Sequence, residues 1–189
     1  MKLRGILPTL MTALTSIRQF PLGDGRLRAQ LHLLMGVEAL EAGEVESAMT
    51  HLEQAIESQP QMGQAWVALG MAQEAARGRL AGIDSLREGA RLSPASADAQ
   101  LIYGSAALDA GLMEEAIPAL KMALTLAPAL AGAHYSLGVA LLECADLEAS
   151  RFHLTQAIQL DPELGEAHYT LATTLALIRQ QASTGLPEA

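Results

Sequence analysis

Pro60, Pro94, Pro128 and Pro162 stand 34 residues apart, one after another along the chain. A fixed period of that length marks a stack of similar supersecondary units rather than one closed core. Laid out at this period, Gly36, Gly70, Gly104 and Gly138 share a column that Ala172 continues. Glycine inside a helix costs about 1 kcal/mol relative to alanine. Four at one register therefore point to two helices that approach too closely for a side chain. Met35, Leu69, Tyr103, Leu137 and Leu171 precede the small residue, and Ala55, Gly89, Ala123 and Ala157 recur later in each unit, so large faces small. Leu52, Leu86, Leu120 and Leu154, followed four residues on by Ile56, Ala90, Leu124 and Ile158, place an apolar stripe on a second helix. Each unit is thus expected to be a pair of helices, and the chain all-α.

Turn chemistry fits this reading. The intervening stretches are Ala42-Gly43-Glu44, Arg77-Gly78-Arg79, Ala110-Gly111-Leu112 and Ala145-Asp146, with glycine as a C-cap or aspartate as an N-cap. The proline column is expected at the first turn of each following helix, where a missing N–H costs nothing. Asp161-Pro162-Glu163 then supplies an N-cap, an N1 proline and an anion at the positive end of the helix dipole. Aromatic residues are only 3% of the chain, so the core must be built from Ala, Leu, Ile, Val and Met, the vocabulary of closely packed helices.

The 34-residue period, the run Trp66-Val67-Ala68-Leu69-Gly70, the small residues Ala48 and Ala116 and the closing proline resemble the tetratricopeptide repeat. The resemblance covers four units, 29–62, 63–96, 97–130 and 131–164, and a final helix from Gly165 to about Gln181. It divides the chain into a basic segment 1–28, a repeat domain 29–182 and a short tail 183–189. Gly82 and Ser150 depart from the family pattern at a position where a core alanine is usual, and most first helices lack its Trp and Tyr. The resemblance implies a right-handed superhelix whose first helices line a concave groove. The helix from Gly165 is placed to cover the last repeat. A short helix from about Pro8 to Gln19, with Leu7, Leu10, Met11, Leu14 and Ile17 on one stripe, is placed to cover the first.

Charge is unevenly distributed. Residues 1–28 hold Lys2, Arg4, Arg18, Arg26 and Arg28 against Asp24, a balance of +4, while the remainder carries −13 of the total −9. A body of that sign repels phosphate backbones and argues against nucleic acid as a partner. The lone Cys144 cannot form an intramolecular disulfide and suits a reducing cytosol. Met-Lys-Leu-Arg followed by the uncharged stretch from Gly5 to Ile17 resembles the front of a signal peptide, yet the stretch is too short to span a bilayer and no small-x-small cleavage pair follows it. A cytoplasmic location is expected, with a periplasmic one after cleavage as the alternative. Membrane association is expected only if that segment acts as a signal or an anchor.

No residue set points to catalysis. There is no GxSxG elbow, P-loop, GxGxxG turn, HExxH or CxxC, and Ser, His and Asp are scattered through repeat columns. His32, His134 and His168 share the column of Trp66, while His51 and His153 share one on the second helix. None pairs at i,i+3 or i,i+4, so these histidines read as packing residues rather than metal ligands. No cofactor and no small-molecule substrate are expected.

Function is expected in the groove. By the family resemblance, ligands contact the outward columns of the first helices: Leu33, Val67, Leu101, Tyr135 and Tyr169; Val37, Met71, Ser105, Val139 and Thr173; and beside them Leu40, Glu41, Glu74, Asp109 and Glu143. Asp98 and Glu166 add to the acidic edge, and no Lys or Arg is expected in any first helix between residues 29 and 178. The Lys, Arg and Asn clamps of heat-shock co-chaperones are missing, since Leu33, Val37, Ala68, Asp98 and Ile102 stand there and the chain has no Asn. The expected partner is a protein or peptide, a neutral-to-basic amphipathic segment held by a non-catalytic scaffold. Two alternatives stay open: self-assembly through the N-terminal helix, making a homo-oligomer, and an exported accessory subunit of an envelope assembly machine. Pro118, Ala119, Met122 and Phe152 are expected to form an apolar patch on the convex side.

Overall fold

The computed structural model describes residues 25–184. It consists there of nine helices in chain order: α1 (Gly25–Glu41), α2 (Val45–Ser58), α3 (Gly63–Arg77), α4 (Ile83–Leu92), α5 (Ala97–Asp109), α6 (Met113–Leu126), α7 (Ala131–Glu143), α8 (Leu147–Leu160) and α9 (Gly165–Thr184). No strand occurs among the described residues. Odd-numbered helices are the first members of each pair and even-numbered ones the second. Among the described residues each helix packs only on its neighbours and next-but-one neighbours, so the pairs stack in a line.

The glycine column does what its spacing implied. A Cβ built on Gly36, Gly70, Gly104 or Gly138 would lie 2.6, 2.6, 2.8 or 2.7 Å from Leu52, Leu86, Leu120 or Leu154. Those four leucines are wholly buried, one in each second helix. Burying one such side chain contributes about 1.5–3 kcal/mol, and the missing Cβ is what lets the leucine sit against the facing backbone.

Two departures from the family pattern now have causes. A Cβ on Gly82 would meet the carbonyl oxygen of Gly70 at 2.1 Å, so the second pair is too close there even for alanine. Ser150 is fully buried, and its hydroxyl donates to the Gly138 carbonyl oxygen at 2.7 Å, which satisfies the polar group. The second pair is also irregular in length. Its first helix runs on to Arg77 and its second has only ten residues, because Gly78 (φ +97°) ends the one and Gly82 precedes the other.

Gly43 (φ +77°) and Gly111 (φ +73°) close α1 and α5 in the left-handed region, and in the fourth pair Ala145 (φ +60°) takes the same role. The following N–H reaches back identically in each: Glu44 to Ala39, Leu112 to Ala107 and Asp146 to Leu141, at 2.8, 2.8 and 2.9 Å. Asp146 caps α8 through the Ala149 N–H, and Ser96 caps α5 through the Ala99 N–H.

The proline column does not occupy the first helical turn. The helices after it begin at Gly63, Ala97, Ala131 and Gly165, three residues later, and Asp161 ends α8 instead of starting α9. The prolines fill the connecting turns, where their carbonyls serve as acceptors: Trp66 Nε1 donates to Pro60 at 2.9 Å, and His134 and His168 Nε2 donate to Pro128 and Pro162 at 3.1 and 2.9 Å. At Gly25, the first described residue and four residues ahead of the expected repeat start, the chain is already helical, and α9 is helical to Thr184, the last described residue. The helix expected over Pro8 to Gln19 lies outside the described residues.

Candidate binding groove

The first helices carry the expected groove columns on a surface of graded exposure. Leu33, Val37 and Leu40 are half-buried and brace the core of the first two pairs. Val67, Leu101, Ser105, Tyr135 and Val139 are also half-buried, while Met71 and Tyr169 are 45% and 78% exposed. Glu41, Asp109, Glu143 and Thr173 reach solvent, and Glu74 is half-buried.

One open cavity of about 750 Å³ gathers part of this set. Ser105 and Asp109 from α5 face Tyr135, Val139 and Glu143 from α7, and Leu164 and Glu166 close the far side. The Ser105 and Ser136 hydroxyls, 3.0 Å apart, tie α5 to α7. Leu33, Val37, Leu40, Glu41, Val67, Met71, Glu74, Leu101, Tyr169 and Thr173 do not line this cavity.

The expectation of a groove without cations is wrong. Arg79 lines the cavity, and its Nη1 lies 3.0 Å from Asp109 Oδ2. Arg77, expected in a turn, is the last residue of α3, so a cation does occur in a first helix between residues 29 and 178. The cause is the irregular second pair: its long connection from Gly78 to Gly82 swings Arg79 over the mouth of the groove. Glu74 feels the same cluster. Burial raises its pKa, the Asp109 carboxylate raises it further, and Arg79 pulls the other way.

With this geometry in view, comparison with known proteins decides the family. Models described as tetratricopeptide repeat match residues 33–82, 79–131 and 131–164. The chain belongs to the tetratricopeptide repeat family. No curated protein sequence matches it. Solved structures share the fold: MamA residues 41 to the end from Desulfovibrio magneticus RS-1 (TM-score 0.72, 23% identity, 86% of this chain and 90% of that one), PilF from Pseudomonas aeruginosa (0.70, 20%, 82% and 71%), and YrrB, titled a TPR protein with an unusual peptide-binding site (0.67, 17%, 85% and 86%). The tetratricopeptide fold is a protein-interaction scaffold, an α-helical repeat solenoid whose stacked pairs present extended surfaces.

Two polar clusters of this tetratricopeptide array were not legible as clusters in the sequence. On the side of the second helices, Arg87 bonds Glu115 at 2.8 Å and Tyr103 at 3.1 Å, Tyr103 donates to Glu115, and Asp84 completes the set. Arg87 holds the Glu115 carboxyl below its usual range, while burial and Glu115 raise the Tyr103 phenol. Arg87, Tyr103 and Glu115 flank a 440 Å³ hollow with Pro118 and Met122. Ala119, expected in an exposed convex patch, is buried in the core instead, and Phe152, 57% exposed, stands edge-on to His153. The second cluster is a pair of histidine contacts. His32 and His51 bring Nδ1 atoms to 3.4 Å, and His134 and His153, three repeats later, to 3.0 Å.

No group of three or more His, Cys, Asp or Glu among the described residues is arranged to hold a metal ion. Among the same residues no helix is long and apolar enough to cross a membrane.

Proposed function

We propose that the chain is a non-catalytic adapter that holds a neutral-to-basic amphipathic helix or peptide in the groove between α5, α7 and the start of α9. The observation that carries this reading is the lining of the 750 Å³ cavity. Tyr135, Val139, Leu108 and Met113 supply an apolar floor, and Asp109, Glu143 and Glu166 an acidic edge that only Arg79 offsets. An apolar stripe flanked by carboxylates complements a helix with apolar residues on one face and Lys or Arg beside them. The arrangement disfavours carboxylate tails and phosphates, because Arg79 already has Asp109 as its partner. The similarity to a protein titled as peptide-binding is consistent with this use of the fold.

Titration of the protein with a synthetic amphipathic Leu/Lys helix, followed by calorimetry at low and high salt, tests the proposal. Binding that weakens with salt and with Glu143→Lys is expected. Binding unaffected by Glu143→Lys would place the peptide elsewhere and overturn the reading.

A further inference from the structure

The face of α9 that its counterparts bury is open. In the columns that pack on a second helix, Ala39, Ala107 and Leu141 are at most 8% exposed, but Leu175, their equivalent, is 43% exposed. Ala172, which continues the buried glycine column, and His168, the equivalent of buried His134, are exposed as well. The repeat itself specifies the missing cover. In the four pairs it is a second helix that sets a leucine, Leu52, Leu86, Leu120 or Leu154, against the small residue.

The chain contains one more sequence of that kind, outside the described residues. Leu7-Pro8-Thr9-Leu10-Met11-Thr12-Ala13-Leu14-Thr15 matches Ile117-Pro118-Ala119-Leu120-Lys121-Met122-Ala123-Leu124-Thr125 of α6, with five of nine positions identical. Leu10 takes the place of Leu120, the residue that sits on Gly104, and Ala13 that of Ala123, which is fully buried. The N-terminal segment thus carries the pattern of a second helix, and α9 is a first helix that lacks one.

Reach disfavours a meeting of these two halves within one copy. Nine residues separate Thr15 from Gly25, about 30 Å at full extension. First helices also touch one another directly, so the open face of α9 lies beyond four steps from α1 of about 8–10 Å each, and among the described helices α1 touches only α2 and α3. Charge complements the contact: residues 1–24 carry Lys2, Arg4 and Arg18 against Asp24, whereas residues 143–184 carry six acidic side chains against Arg151 and Arg179.

We propose that residues 7–15 of one copy pack as a second helix on the open face of α9 of another copy, Leu10 over Ala172, completing a repeat between chains. The contact joins different surfaces of the two molecules, so it propagates head to tail unless the rotation closes a ring. It uses a surface separate from the peptide groove and stands independently of that reading.

Light scattering on the full chain across a concentration series tests it, with Leu10→Glu and Leu175→Glu as single variants and Ala172→Glu as a second probe of the same face. Far-UV circular dichroism and thermal melting check that each variant folds. Wild type is expected to grow in mass with concentration, and each variant to stay monomeric. An equal mixture of Leu10→Glu and Leu175→Glu, which retains one intact end of each kind, is expected to stop at twice the monomer mass. Wild type that stays monomeric at every concentration overturns the proposal, and so does association untouched by the variants. Variants that stay monomeric yet fail to pair in the mixture overturn it too. Leu175→Glu should bind the Leu/Lys peptide as wild type does, which separates this failure from that of the groove.

Discussion

His134 and His153 face each other across the fourth helix pair with their Nδ1 atoms 3.0 Å apart, and their tautomers follow from the surroundings. His134 Nε2 lies 3.1 Å from the Pro128 carbonyl oxygen, which only accepts, so Nε2 holds the proton. Nδ1 of the neutral His134 ring is then the acceptor, and His153 Nδ1–H the donor. A doubly protonated pair would set two donors against each other.

That geometry makes the array sensitive to mild acid. Burial lowers the His153 pKa, with His134 and Lys121 adding to the effect, and burial with His51 and Arg28 does the same to His32. The unfolded chain takes up these protons near the ordinary imidazole pKa of about 6.5, the folded chain only at lower pH. Stability from these sites is therefore complete above about pH 6.5 and declines as pH falls toward the folded values. Melting temperature measured between about pH 7.5 and 5.5 should fall more steeply for wild type than for His32→Gln/His153→Gln; parallel slopes would contradict the assignment.

Backbone positions give opposite signs for opposite swaps. Ala145 holds a left-handed conformation that costs an L residue roughly 1–2 kcal/mol, so Ala145→Gly should raise the melting temperature. Gly132, whose added Cβ would find only ordinary contact with Leu101 at 3.8 Å, should accept alanine with a gain of up to about 1 kcal/mol. Gly138→Ala, with its Cβ 2.7 Å from Leu154, should cost about 1–3 kcal/mol by overpacking. Urea denaturation of the three variants checks the order.

The Arg79–Asp109 pair is solvent-exposed, at 81% and 42%, and contributes at most about 1 kcal/mol to stability. Arg79→Ala should leave the melting temperature nearly unchanged while tightening binding of a cationic amphipathic peptide, because Asp109 loses its partner. Asp109→Asn should weaken that binding and lower the Glu74 pKa, since the Asp109 charge helps to raise it. Carboxyl NMR titration reads the second effect.

Leu120→Ala should cost about 2–5 kcal/mol by opening a cavity at a fully buried site. Its effect should stay local. Trp66, the one tryptophan, packs with the core of the first two pairs. Helical signal should then be lost at lower urea than Trp66 emission changes, whereas a single cooperative core would lose both together.

Much of this architecture was legible because a column of glycines facing a column of leucines fixes the distance between two helices without reference to anything distant. The turns were legible at Gly43 and Gly111 for the same reason. The connection from Gly78 to Gly82 was not, since the period only averages over repeats and the lengthened α3 moves Arg79 from an ordinary turn to the groove mouth. The histidine contacts were hidden for another reason. Partners 19 residues apart lie on different helices, and only the packed pair shows that they meet. Arg87, Tyr103 and Glu115 come together from three helices in the same way.

Because none of the described helices touches another beyond its next-but-one neighbour, this part of the chain never has to close a long loop before a contact rewards it. Folding of such a topology belongs to the fast regime of about microseconds to milliseconds, and it can begin at any well-packed pair and spread outward. A growing polypeptide would gain stable structure as each pair of helices is completed, long before its last residue is made.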